Sequence, residues 1–317
     1  MCIILLTQQN AYAYKYGLGS CLDQRFDQTI WSSIKKENID GFIFLGDNVY
    51  GDRPNGSLEK MQAAYKTQKN RLPQWLMKEK EILAIWDDHD FGLNDGGKDY
   101  SLKREAELMF LNFWNIPESD VRRKREGIYF KETKNIDGAN VEIIGLDTRY
   151  FRSKLMGNKK EYLPNINPNA SILGKNQWQW FKSQMTNSNA DIIIILSSIQ
   201  VLATEHPYEK WSNFPLERNK LLELISDTKK NKTIIVVSGD RHRAGLYKSK
   251  DFIEITASSL NRPGSSFEET DRYLINQTFP EINYGILEIK PRQNKITVSI
   301  HGDKGVLLNS QIITLNK

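Results

Sequence analysis

The chain has 317 residues, 39% of them hydrophobic and 26% charged, with 44 lysines and arginines against 39 acids for a net charge of +5. That length suits one large domain or two ordinary ones with a substantial core, and so slight a positive excess argues against a dedicated nucleic-acid binder, which carries basic stripes on one face. The two cysteines, Cys2 and Cys21, exclude a disulfide framework, and no apolar run reaches the roughly 20 residues of a membrane span.

Cys2-Ile3-Ile4-Leu5-Leu6 followed by Ala11-Tyr12-Ala13 is a short apolar stretch with a small-x-small cleavage site. It reads as a shortened signal peptide over residues 1–13, hence export; a frayed N-terminus is the plain alternative. Residues 14–317 then form a single domain. Tyr14 to Leu18 predicts a first strand, and a helical pattern runs from Phe26 to Lys36. Gly41 to Leu45 and Ile82 to Trp86 are short apolar runs of the kind that form strands buried on both faces, with a helix predicted between them over Leu58 to Met77. Leu102 to Trp114, Lys175 to Met185 and Glu217 to Ile225 read as further helices; Val141 to Leu146, Asp191 to Leu196 and Thr233 to Val237 read as further buried strands. This alternation predicts an α/β fold with stacked layers. The dense basic run Arg122 to Arg125 reads as a solvated loop. From Phe252 onward the strands (Phe252 to Ala257, Tyr284 to Ile289, Ile296 to Ile300, Val306 to Leu315) follow without long helices, which predicts a second sheet packed on the first.

Three polar clusters sit where buried strands end: Leu45-Gly46-Asp47-Asn48-Val49-Tyr50-Gly51-Asp52, Trp86-Asp87-Asp88-His89-Asp90 with Asn94-Asp95 shortly after, and Ser238-Gly239-Asp240-Arg241-His242. Gly19-Ser20-Cys21 follows the first strand. In α/β sheets ligands collect beyond the carboxyl ends of strands, so these clusters should meet. Each Asp alone could be a turn former or helix cap. Together, so many carboxylates in one cleft repel one another, at about 1.4 kcal/mol per unit of pKa shift, unless a cation lies between them. Asp47 and Tyr50, three apart, would share one side of a helical turn. A phenolate and a thiolate together favour ferric iron over calcium or magnesium, which take oxygen ligands. Tyr50 as a structural residue and Cys21 as a buried small hydrophobe remain the simpler alternatives. The chain has four histidines, and two of them, His89 and His242, already lie in acidic clusters; His206 and His301 read as structural. The mixed carboxylate site is therefore more natural than a three-histidine zinc site.

In this order the clusters, with Leu146-Asp147-Thr148-Arg149, resemble the PhoD-like alkaline phosphatases of the calcineurin-like metallophosphoesterase superfamily. The resemblance runs from about Tyr14 to the end. It implies a four-layer α-β-β-α metallophosphoesterase sandwich and metal-dependent hydrolysis of phosphate esters, monoesters or diesters. It also implies Fe(3+) with Ca(2+), held by Cys21, Asp47, Tyr50, Asp88, Asp240 and His242, with Asp47 bridging. His89 is then placed to protonate the leaving oxygen or to orient a carboxylate. Arg149 could grip a phosphate oxygen, or form a salt bridge to Asp147 or Glu217. Asp90 stands where relatives commonly have Glu, and no room is left for the N-terminal β-sandwich many of them carry. The implied partner is a phosphate-ester substrate, with no specific nucleic acid and no membrane span. The competing class is a non-catalytic calcium-binding module.

Overall fold

The computed structural model describes residues 13–316, so Cys2 and nearly all of the leader-like segment lie outside the described residues. The first part runs β1 (Tyr14–Gly19), α1 (Trp31–Lys36), β2 (Gly41–Leu45), α2 (Met61–Arg71), α3 (Gln74–Glu79), β3 (Glu81–Ile85), α4 (Asp88–Phe91) and α5 (Lys103–Phe113). Next come β4 (Phe130–Ile136), β5 (Ala139–Gly145), the small hairpin β6 (Met156–Asn158) and β7 (Glu161–Leu163), α6 (Gly174–Thr186), β8 (Ile192–Ser197), α7 (Pro215–Thr228) and β9 (Thr233–Ser238). The chain closes with β10 (Gly245–Lys248), β11 (Ile253–Thr256), β12 (Asn283–Lys290), β13 (Lys295–Gly302) and β14 (Leu307–Thr314). The single helix expected over Leu58 to Met77 is two. Leu72 turns extended ahead of Pro73, whose ring cannot continue a helix.

Two six-stranded sheets carry the fold, in the orders β14-β13-β12-β1-β2-β3 and β10-β11-β9-β8-β5-β4. β1, β2 and β3 are mutually parallel, as are β5, β8, β9 and β11, so their carboxyl ends point to common rims. On the first sheet Phe42 and Phe44 meet Trp31 of α1, and Phe44 also meets Trp114 just beyond α5. On the second, β8 splits its side chains by the two-residue period of a strand. Ile193 and Ile195 pack with Phe181 and Met185 of α6 and Leu221 and Ile225 of α7, while Ile192, Ile194 and Leu196 join the core shared with the first sheet. Each fully buried isoleucine contributes about 1.5–3 kcal/mol. The layers are helix, sheet, sheet, helix, the four-layer sandwich.

The terminal strands do not make a sheet of their own. β12 pairs antiparallel with β1 and is extended by β13 and β14, whereas β11 joins β9 in the other sheet. The tail closes both sheets because the parallel strands leave unpaired edges beside β1 and β9.

Candidate metal centre

The loops after β1, β2, β3 and β9 gather at one rim. Cys21 N–H donates to Gly46 O (3.3 Å) and Leu22 N–H to Asp47 O (2.9 Å), which ties the first loop to the second. Asp90 ties the second to the third. One of its oxygens accepts from Asn48 N–H (2.9 Å) and the other from Asp87 N–H (3.1 Å), the latter within the capping box that starts α4. A Cβ on Gly46 would lie 2.5 Å from Asp87 Cβ, so this close approach requires glycine. Cys21, Asp47, Asp240 and His242 all hold φ between 52° and 69°. Non-glycine residues avoid that left-handed region, and such strain collects at functional sites.

The strained backbone turns the donors toward each other. Cys21 Sγ, a carboxylate oxygen of Asp47 and a ring nitrogen of His242 lie within 4.8 Å of one another, and so do donors of Asp47, Asp88 and His89; Asp47 belongs to both groups. Cys21 Sγ is 3.6 Å from Asp47 Oδ2 and 3.2 Å from Ser258 Oγ. Tyr50 Oη lies 3.2 Å from the same Asp47 oxygen. No helical turn places it there: Asp47 is left-handed, and Gln24 holds Tyr50's backbone by taking its N–H (2.8 Å) and donating to its carbonyl (2.9 Å). His242 has Nδ1 2.7 Å from Arg262 O, so its Nε2 is left for the cleft. His89 has Nδ1 2.6 Å from Asp52 Oδ1. Asp88 accepts from Asp95 N–H (2.7 Å), and Asp240 borders the same cleft.

The donor set fits multivalent cations. Burial, then the neighbouring charges of Asp88, Cys21 and Asp87, pushes the Asp47 carboxyl well up against the pull of His89. Asp240 is pushed up by burial and by Asp87 and Asp88. Burial raises the Cys21 thiol, and burial with Asp47 raises the Tyr50 phenol. Burial and mutual repulsion thus disfavour the anionic form of all four groups, a penalty that a shared cation would remove. Asp88 differs: burial opposes its ionisation, but His89 and Arg149 outweigh it and hold the carboxyl down at about 2. For His89 burial also opposes the charge, yet Asp88, Asp47 and Asp52 raise it to about 10. His242 is lowered to about 4, by burial first, as suits a neutral ligand.

Arg149 is placed otherwise than expected. Its guanidinium is fully buried and paired with Asp87 (2.6 Å) and Glu209 (2.5 Å), not with substrate space, Asp147 or Glu217. Asp147 instead accepts from Trp86 Nε1 and three backbone N–H groups, and Glu217 takes the N–H groups of Ile172 and Leu173. Glu209 also holds Arg152 (2.8 Å), which donates to the carbonyls of Asp95 and Gly96. That chain of contacts fixes the loop whose Asp95 N–H meets Asp88. Asp52 closes the first polar cluster of the sequence, but its contact with His89 has no sequence signal; Glu209, Arg152, Ser258 and Arg262 lie in loops without a local pattern. His206 binds Gln200 and His301 contacts Ser299, both away from the centre.

Asp47, Asp88, His89, Asp240 and His242 form the floor of a cleft of about 340 Å³ that is walled by Tyr162, Tyr208, Arg241, Arg243, Lys159 and Glu269. This arrangement can hold cations beside a pocket sized for a small ester.

Known proteins place this geometry. Alkaline phosphatase D of Bacillus subtilis (strain 168) is 24% identical over 293 residues, covering 77% of this chain and 48% of that protein, so the chain spans about half the length of this curated relative. The solved structure of PhoD superposes with a TM-score of 0.68 at 17% identity, over 95% of this chain and 68% of that one. Purple acid phosphatase PPD1 from yellow lupin (Lupinus luteus) seeds gives 0.61 at 11% identity, over 96% and 54%. The family model described as PhoD-like phosphatase matches residues 18–300, and the chain belongs to that family.

Proposed function

We propose that this protein is a metal-dependent phosphoric ester hydrolase of the alkaline phosphatase D kind, acting on phosphomonoesters, phosphodiesters or both. The observation that carries the reading is the pair of donor groups sharing Asp47 on the floor of the cleft, in a PhoD-like chain. Cys21 and Tyr50, anionic once deprotonated, with His242 and Asp47 suit the highly charged Fe(3+); Asp47 and Asp88 suit Ca(2+), and Asp240 completes the set. Bound there, the pair would supply positive charge to phosphoryl oxygens and an acidified water as nucleophile. The chain's own residues do the rest. Asp47 joins the two sites, and Arg262 O fixes the tautomer of His242. His89, oriented by Asp52 at Nδ1, offers its other nitrogen to the leaving oxygen. Arg149 keeps Asp87 and Glu209 paired beneath the floor, a bracing role rather than a phosphate grip. Residues 14–317 are taken as one catalytic domain. The apolar opening with Ala11-Tyr12-Ala13 supports export, and among the described residues no helix is long and apolar enough to cross a membrane.

Rates on p-nitrophenyl phosphate and on its bis ester separate monoesterase from diesterase, and failure on both would count against a hydrolase. Elemental analysis and colour test the metals. An iron–phenolate centre absorbs visibly, and Tyr50→Phe should bleach it. An iron-free, colourless, fully active protein would refute the iron assignment alone. Calcium without iron and without turnover would favour the non-catalytic module.

A further inference from the structure

The cleft wall facing the acidic floor is cationic, and its cations are of three kinds. Arg243 is spent on structure: it donates to Ser265 O, Phe267 O and Thr278 Oγ1, and lies 3.4 Å from Glu269. Arg241 is different. One end of its guanidinium pairs with Glu269 and the group lies 4.5 Å from the centre of the Tyr208 ring, yet its Nε is buried with no hydrogen-bond partner. A buried, unpaired donor is costly unless something accepts from it. Lys159 is different again. It sits at the turn of the β6–β7 hairpin, exposed, lining the cleft, with no acid paired to it among the described residues.

The hairpin is anchored at its base and free at its tip. Tyr162 donates through N–H to Pro207 O (2.8 Å) and through its hydroxyl to Asp95 (2.7 Å), and Asn213 donates to Tyr162 O (3.1 Å). The opposite loop is equally fixed, since Lys210 Nζ binds the carbonyls of His206 and Tyr208 on either side of Pro207. The field of this wall is registered independently. Lys210 is lowered to about 8, by burial first and Arg241 next, and His206 is depressed well below its ordinary value by burial and then Arg241, Lys210 and Arg243. Glu269 offsets part of this charge, and Glu209 is already held by Arg149 and Arg152.

We propose that Lys159 and Arg241 form a second anion subsite, so that the preferred substrates are phosphate esters whose leaving group itself carries a carboxylate or phosphate. The inference rests on the hydrolase reading above. The reacting phosphate would sit on the floor, and the leaving group's anion would lie against the wall, where Lys159 supplies a mobile charge and Arg241 a fixed one. An uncharged leaving group gains nothing from either.

The probes are 3-phosphoglycerate and glycerol 3-phosphate, which differ in a carboxylate against a hydroxymethyl group. The ratio of their kcat/KM values should exceed one and fall about fivefold in Lys159→Gln, since one partly exposed charge-assisted contact is lost, and further in Lys159→Glu. An unchanged ratio in both variants, with turnover intact, overturns the subsite and leaves the hydrolase standing. If neither monoester is turned over, the hydrolase reading is decided by the p-nitrophenyl phosphate and bis ester rates. The subsite is then decided by calorimetric binding of phosphonoacetate against methylphosphonate to the metal-loaded protein. A preference for phosphonoacetate that Lys159→Gln abolishes supports the subsite, and equal affinity refutes it.

Discussion

Two groups of carboxylates lie side by side at the cleft, and the chain treats them differently. In the deeper group, Asp87 and Glu209 are each paired with a buried arginine, Arg149 and Arg152, and Ser198 adds a hydroxyl to Asp87 at 2.5 Å. In the shallower group, Asp47 accepts hydrogen bonds from Cys21, Tyr50 and the His89 N–H, and neither Asp47 nor Asp240 has a salt bridge to lysine or arginine among the described residues. Asp87, Glu209 and Asp47 are almost wholly buried, and Asp240 is half-buried at the cleft. A folded chain can tolerate a dry carboxylate by pairing it, by protonating it or by leaving a place for an external cation. The deeper group uses the first solution. The shallower one, with its raised carboxyls and left-handed backbone, is arranged for the third.

The comparison breaks most visibly at Asp47. Asp47→Asn removes the one carboxylate common to both donor groups and should lower kcat by at least about a thousandfold, with loss of bound metal by elemental analysis. Near-normal turnover would mean that the two groups do not act together. The same substitution at Asp240 sharpens the contrast. In chelated protein, Asp240→Asn should leave the urea midpoint unchanged or raise it, because a charge that burial disfavours has been removed. Arg149→Met is the opposite case. It strands Asp87, leaves Glu209 to Arg152 alone and should cost about 3 kcal/mol in urea melts, with or without metal, and adding Asp87→Asn should return part of it. A metal-dependent loss for Arg149→Met would make it part of the centre rather than its brace.

The two groups also differ in how far the sequence reveals them. The shallower donors follow apolar strands directly, so strand ends and residue types pointed to Cys21, Asp47, Asp88, Asp240 and His242 before any coordinates. Arg149 was visible but its partner was not, for Glu209 lies 60 residues on, in an irregular loop. The fold divides the same way. β2 and β8 are continuous apolar runs and announce themselves. β4 escaped because it is an edge strand with Lys131, Glu132 and Thr133 in solvent, and a strand without an apolar face has no period to read. β14 was read as a strand but not assigned to the sheet of β1, since sheet partnership is set by non-local pairing. Asp52 belongs with Glu209: its identity was plain, its contact with His89 was not. Asp52→Asn should reduce kcat about tenfold, as loss of an orienting partner does, and move the alkaline limb of the pH–rate profile, where His89 gives up its proton, to lower pH. Equal losses at every pH would assign Asp52 a purely structural role.

The smallest effect concerns the mirror case, a buried base among cations. His206 Nε2 lies 3.0 Å from Gln200 Oε1, and its Nδ1 is buried with no partner. A second proton would have to enter at Nδ1, facing no acceptor and repelled by Arg241 and Lys210, so burial first and these charges next hold the ring neutral well below its ordinary pKa. The unfolded chain meets no such barrier and takes up the proton near pH 6.5. Below that pH the unfolded state therefore binds more protons than the folded one, and stability falls as pH falls. The loss is about 1.4 kcal/mol between pH 7.5 and 5.5 for one such group. His206→Gln removes the difference, so its urea midpoint should fall less than the wild type's over the same interval. Parallel declines would mean that the ring is protonated in the fold, and that the cationic wall exerts less field on its neighbours than its geometry requires.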